Sequence, residues 1–329
     1  MTISKLPDDV LLDIFEVYLD SDTFFDFDRW HVLVHVCQRW RCLVFASPRR
    51  LDLQLLCTNR RPVKKTLDIW PALPIFIRAD FTPSEKCSVS DVVFGLKQHD
   101  HICLIVIWKI PKSLFGEFVA IKGPFPVLTD LVLWGNDDDD DDDLDVPILP
   151  DSFLGGSAPR LRSLMFKRIS FPALPKLLLS TTDLILLNLT EVPDSGFISP
   201  NAMATALSTL KSLKSFGLHF KASQSSAHRE TRHLPANAGT RTILPALTDL
   251  RLSSDGAYVE DFLSQIDTPV LDSAYITFRG QGQAESDTPL LHHFISRTEA
   301  FRAPHQAKVD IQKQRPLNDQ LLAVIKIDK

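Results

Sequence analysis

Metal sites, nucleophiles and acid–base pairs are built from histidine, cysteine, serine and carboxylates, and in this chain none of these stands at a spacing that completes such a site. His31 and His35 are four apart, the helical step that lets two imidazoles share a zinc ion, but Val32-Leu33-Val34 fills the interval and the Glu of the zinc-protease motif is absent. They read as surface or interface histidines. His292-His293 has no third ligand nearby, and His99 and His101 flank Asp100 in what reads as a turn before a strand. The seven consecutive aspartates from Asp137 to Asp143 carry charge enough for a cation, yet calcium loops space their ligands and turn on a glycine. They read as a solvated acidic loop.

Gly155-Gly156-Ser157 lacks the spacing of a hydrolase nucleophile elbow, and no glycine-rich loop with a lysine is available to cradle phosphate. Asn188-Leu189-Thr190 is formally a glycosylation triplet, but Leu189 falls in an apolar strand pattern. Cys37, Cys42, Cys57, Cys87 and Cys103 are odd in number and without zinc-type pairs, so they read as buried free thiols of a reducing compartment. These patterns predict no catalytic residue, no metal and no cofactor.

With 329 residues the chain can bury a large core, and its length predicts two domains of unequal size. The net charge of −5 comes from the aspartate run, and the rest of the chain is slightly basic. No global field therefore points to nucleic acid. The first residues show no apolar signal core, and the longest apolar run, Ile102 to Trp108, is far short of a membrane span. The expectation is an intracellular protein, cytoplasmic or nuclear, without a membrane partner.

The first forty-odd residues are the most informative. Val10, Leu11, Ile14, Phe15, Val17 and Tyr18 recur at helical steps, Pro7 suits the first turn, and Asp8 and Asp9 complement the helix dipole. After the polar break at Asp20, Ser21 and Asp22, a second periodic segment carries Trp30, Leu33, Val36, Cys37, Trp40, Leu43 and Val44 before Pro48. A bundle of about forty residues is too small to sustain its own core, so the rest of the chain or a partner must cover the surplus.

At these residues the segment resembles the F-box, by which adaptor subunits of Skp1–cullin–F-box ubiquitin ligases bind Skp1. Leu6-Pro7 opens the pattern, Val10, Leu11, Ile14 and Phe15 fill its first helix, and Val36-Cys37 with Trp40-Arg41 closes it. The linker through Phe24, Phe25 and Phe27 is longer than usual, and Gln38 stands where a basic residue is common. The resemblance implies a Skp1 contact on Leu6, Pro7, Val10, Leu11, Ile14, Phe15, Leu33, Val36, Cys37 and Trp40.

Beyond residue 50 the rhythm changes. Residues 51–69, with Arg60-Arg61 and Lys64-Lys65, read as a solvated connector, with a localisation signal or a contact to an acidic surface as the alternatives. From 70 to 329 an apolar triplet, spaced three and then two residues, returns seven times: Ile102/Ile105/Ile107, Leu128/Leu131/Leu133, Leu161/Leu164/Phe166, Leu184/Leu187/Leu189, Leu213/Phe216/Leu218, Leu247/Leu250/Leu252 and, weakly, Leu271/Ala274/Ile276. Successive copies start 23 to 34 residues apart. Leu73, Ile75 and Ile77 read as a first strand, Ser88 to Leu96 as a helix capped by Ser88 or Ser90, and Leu291 to Phe301 as a last helical return before a weak strand at Ala307, Val309 and Ile311.

The triplets resemble degenerate leucine-rich repeats, whose units each bury their apolar face only by stacking on neighbours. The ninth repeat position carries Asn136 in the second copy alone. The expected fold is thus α/β, a small helical F-box followed by an irregular leucine-rich-repeat-like solenoid of parallel strands, interrupted by a mobile acidic insertion at 136–146 and a loop at 222–242. The expected function is an adaptor that binds a Skp1-like subunit, and through it cullin, and presents an unidentified protein client. The alternatives are a leucine-rich interaction scaffold outside ubiquitin transfer and an enzyme hidden in the divergent repeats.

Overall fold

Each apolar triplet becomes a strand of one sheet. The computed structural model describes residues 5–19, 29–70, 73–85, 87–121, 123–136, 148–221, 241–281, 289–298, 310–314 and 320–328. Three helices come first: α1 (Asp8–Leu19), α2 (Trp30–Val36) and α3 (Gln38–Ala46). Strands and helices then alternate through β1 (Leu55–Cys57), α4 (Val63–Ile69), β2 (Ile75–Asp80), α5 (Val89–Leu96), β3 (Ile102–Trp108), α6 (Lys112–Ala120), β4 (Asp130–Trp134), β5 (Ser163–Lys167), α7 (Leu174–Leu178), β6 (Leu186–Val192), α8 (Pro200–Leu207) and β7 (Ser215–Phe220). The remainder runs β8 (Thr242–Ile243), β9 (Asp249–Asp255), α9 (Gly256–Gln265), β10 (Ile266–Asp267), β11 (Ser273–Gln281), α10 (Pro289–Arg297), β12 (Asp310–Gln314) and β13 (Gln320–Asp328). The chain is an α/β protein.

In the main sheet nine parallel strands stand side by side in chain order, β1-β2-β3-β4-β5-β6-β7-β9-β11, while β8 and β10 pair separately. Parallel neighbours need a crossover, and the helices supply most of them, α4, α5 and α6 packing in one run and α7, α8, α9 and α10 in another. The register explains why the triplet works. Ile105, Leu131, Leu164, Leu187, Phe216, Leu250 and Ala274 are successive partners across the strands, and Ile107, Leu133, Phe166, Leu189, Leu218, Leu252 and Ile276 form a second row beside them. Both rows are buried, and the first residues of the triplets are buried beneath them. No copy could close off its own apolar face, so the core is continuous from strand to strand.

The strand-to-helix turns are made locally. Ser88 accepts the Asp91 amide at 3.4 Å to cap α5, Ser199 caps α8 through the Ala202 amide, and Asp255 caps α9 through the Tyr258 amide at 2.9 Å. Beyond β4 the backbone passes so close to its neighbour that a Cβ on Gly135 would sit 2.6 Å from the Arg168 carbonyl oxygen. Only glycine fits there.

Four expectations need correction or extension. Residues 51–69 are not a connector: they contain β1, which pairs in parallel with β2, and α4, so the strand array begins one unit before Leu73. The array does not end in parallel strands, because β13 runs antiparallel to β11 and β12 antiparallel to β13. The cysteines are not uniformly buried: Cys57 and Cys103 are, Cys87 is intermediate, and Cys37 and Cys42 are exposed. The surplus apolar surface expected of the small bundle is only partly covered by the rest of the chain, as described below. The aspartate run, Ala307 and Val309 and, apart from Asn136, Arg241 and Thr242, the expected insertions at 136–146 and 222–242 lie outside the described residues. Among those residues no helix is long and apolar enough to cross a membrane.

Asp130, at the start of β4, tests the packing. Burial raises its carboxyl pKa, with the Thr129 hydroxyl, donating at 2.7 Å, and the Arg162 charge acting in the opposite sense. The fold therefore favours the protonated acid. The stability this contributes is fully present below the unfolded carboxylate pKa of about 3.9 and is lost as pH rises through the higher folded value. Asp130→Asn is expected to raise the melting temperature at neutral pH, with the gain shrinking as pH falls toward about 4. A melting series in which the difference stays constant with pH contradicts this.

Candidate functional site

α1 carries more apolar surface than its neighbours cover. Leu11 and Phe15 point into the core, where the Phe15 ring meets Trp40 at 4.7 Å. On the adjoining stripe Ile14 is 46% exposed and Val17 76%, and Tyr18 is also exposed. α2 divides the same way, with Trp30, Leu33 and Val34 buried and Val32 and Val36 more than half exposed. Among the described residues, five of the fourteen large exposed hydrophobic side chains fall between residues 14 and 36, on α1 and α2.

Polar contacts hold this arrangement in place. Cys37 is extended, at φ −161° and ψ 170°, and breaks α2 from α3. Arg41 donates through Nε to the Val34 carbonyl at 2.9 Å, satisfying a C-terminal oxygen of α2. Arg39 reaches from α3 to the Leu6 carbonyl and the Asp8 carboxylate, both at 2.5 Å, so the Leu6-Pro7 end lies beside the Val36-Cys37 junction. Arg50 pairs with Asp13 and, at 3.3 Å, with Glu16.

The three helices are pinned to the first strand–helix unit. The buried Trp30 indole donates through Nε1 to the Gln54 carbonyl at 3.0 Å, just before β1, and meets Trp70 edge-on at 5.1 Å after α4. Phe45 and His31 also pack on Trp70, at 6.2 and 4.8 Å. The surplus predicted for an undersized bundle is thus partly absorbed by the chain itself.

The ten residues expected to touch Skp1 separate into three groups. Leu11, Phe15 and Leu33 are interior; Leu6, Val10 and Trp40 are half-buried; Pro7, Ile14, Val36 and Cys37 are exposed. The side chains of the interior three are covered by this chain itself, and the exposed four remain open to a partner. Val17, Tyr18 and Val32 add to the exposed side chains, as helical periodicity shows an apolar face without saying which part of it finds a partner.

The sheet has a second open surface, on the face away from its helices. The row Val106, Val132, Met165, Asn188, Gly217, Arg251 and Tyr275 lies there, and Asn188 occupies the space left by Gly217. Toward the strand ends Trp108 and Trp134 meet at 6.2 Å, with Arg78 5.0 Å from the first ring and Lys167 5.8 Å from the second. Lys167 also pairs with Glu191 at 3.4 Å. The signal for this stripe was present in the sequence, since Trp108, Trp134 and Lys167 each directly follow the third apolar residue of a triplet.

Among the described residues, no group of three or more His, Cys, Asp or Glu side chains could hold a metal ion. His99 sits in a turn, its Nδ1 2.9 Å from the Pro124 carbonyl, as its spacing predicted. Comparison with protein-family models finds no match, and no curated protein matches the chain.

The divided burial predicts a reactivity pattern. Burial pushes the Cys103 thiol up to about 12, and its Sγ donates to the Ile75 carbonyl at 3.3 Å. In the native protein, iodoacetamide at neutral pH is expected to modify Cys37 and Cys42 at least tenfold faster than Cys103, as only the thiolate reacts. Peptide mapping after a timed pulse checks it, and equal labelling of all three would contradict the burial described.

Proposed function

We propose that the chain is a non-catalytic F-box adaptor, which docks on Skp1 through its N-terminal helices and holds a protein client on an irregular leucine-rich-repeat body. The observation that carries the reading is that Pro7, Ile14, Val36 and Cys37, four landmarks of the F-box-like pattern, stay exposed while Leu11, Phe15 and Leu33 form the interior beneath them. A docking helix needs both. The repeat reading is supported by the chain-ordered parallel strands and by the two unbroken apolar rows on which the triplets align.

In this role the protein supplies position and no acid, base or nucleophile. Cullin, joined through Skp1, brings the ubiquitin-conjugating enzyme, and the open sheet face with its Trp108–Trp134 stripe holds the client. Because the helices are pinned to the sheet by Trp30 and Trp70, a client on that face is presented at a defined distance from Skp1. Linking the two sites raises the effective concentration of the client's lysines.

Full burial of an aliphatic side chain contributes about 1.5–3 kcal/mol, so Ile14 and Val36 leave a substantial part of that for a partner to realise. The double variant Ile14→Asp/Val36→Asp in the full chain is expected to weaken binding to purified Skp1 by about 30-fold or more, equivalent to ~2 kcal/mol, with an unchanged melting temperature. Failure of the unmodified chain to bind Skp1, or equal binding by the variant, would refute the proposal. Recovery of Skp1 without cullin from the assembled complex would move the protein to the scaffold reading.

A further inference from the structure

Two features that carry no chemistry separately in the sequence, the His31/His35 pair and the basic cluster at 60–65, line one cavity. It opens between α2, β1 and α4 at the outer edge of the sheet, with a volume of about 410 Å³. His31 and His35 come from α2, Lys65 from α4, Arg60 and Arg61 from the turn between β1 and α4, and Trp70 forms an apolar wall. Its volume falls in the range of small-molecule sites.

The charge is one-sided. None of the lining residues is a carboxylate, and neither Arg60 nor Lys65 meets one among the described residues. Asp68, one turn along α4, is outside the lining. The turn carrying the arginines is closed by reciprocal backbone bonds, Thr58 N–H to the Arg61 carbonyl and Arg61 N–H to the Thr58 carbonyl, both 3.0 Å. His31 is fixed by stacking on Trp30 at 3.8 Å and by the edge of Trp70. The turn and the ring packing thus bring these cationic side chains to one cavity, whose lining supplies no counter-charge to Arg60 or Lys65.

We propose that this cavity binds a small, soluble, multiply phosphorylated ligand. Phosphate oxygens match the guanidinium donors in bidentate fashion and satisfy the Lys65 ammonium as a point charge, and more than one phosphate is needed to balance cations contributed by both the turn and the helix. The ligand would bridge α2 to α4, adding to the Trp30–Trp70 contact and stabilising the helices on the sheet. The cavity shares α2 with the proposed Skp1 surface, but none of its lining residues is among the exposed docking residues Pro7, Ile14, Val36 and Cys37. Variants of Arg60 and Lys65 therefore test it apart from Skp1 binding.

The test is calorimetric titration of the full chain with inorganic tripolyphosphate, beside sulfate at matched ionic strength and vesicles carrying phosphorylated inositol headgroups. A saturable one-to-one heat with tripolyphosphate is expected, together with a rise in melting temperature that grows with ligand concentration. Arg60→Gln/Lys65→Gln is expected to weaken binding at least tenfold, while Lys64→Gln, exposed on the same helix but outside the cavity, leaves it within about twofold. Skp1 affinity should not change in either variant. No saturable heat, sulfate binding as tightly as tripolyphosphate, an unaffected double variant, or binding to vesicles alone would each overturn the proposal.

Discussion

The edge-on contact between Trp30 and Trp70 makes one body of two very different pieces of chain. Without it the first three helices have a core of a few side chains, Leu11, Phe15, Leu33, Val34 and Val44, too small to persist alone. With it, an indole that needs a hydrogen-bond partner finds one in the Gln54 carbonyl, and the ring completes a cluster with Phe45 and His31. Covering one stripe of the helices in this way leaves the adjoining stripe of α1 and α2 facing outward.

The body to which they are pinned obeys a different constraint. Nine parallel strands in chain order bury two rows of apolar side chains against their crossover helices, and the row on the opposite face changes from Val106, Val132 and Met165 to Asn188, Gly217, Arg251 and Tyr275. Parallel sheets are more often covered on both faces. The proposed client site rests on this open face. The antiparallel pair β13 and β12 ends the series by changing strand direction, so no further parallel unit follows β11 in the sheet.

Much of this was legible in the sequence, for physical reasons that also explain the failures. Seven triplets aligned in register because a buried row tolerates only apolar residues, so even the weak copy at Leu271, Ala274 and Ile276 kept its place. β1 was missed because Leu55 and Cys57 are too few to show a period, and the basic residues after them suggested solvent. The β13 strand was missed although Leu322, Ile325 and Ile327 repeat the spacing of the triplets, and it pairs antiparallel to β11 where the earlier copies pair in parallel. The division of the helical stripe into interior and exterior was beyond reach, since Leu11 and Ile14 are chemically alike and only their packing, 1% against 46% exposed, distinguishes them. The cavity lined by His31, Arg60 and Lys65 was hidden for a related reason, being assembled from residues about thirty positions apart.

Skp1 docking through the uncovered stripe is the claim on which the proposed role depends. Hydrogen–deuterium exchange of the full chain with and without purified Skp1 tests it directly, because backbone protection reports where a partner sits without altering any side chain. The account predicts new protection in α1 and around the α2–α3 junction at Cys37, with β3 to β7 unchanged. Protection confined to the sheet, or none at saturating Skp1, would contradict it.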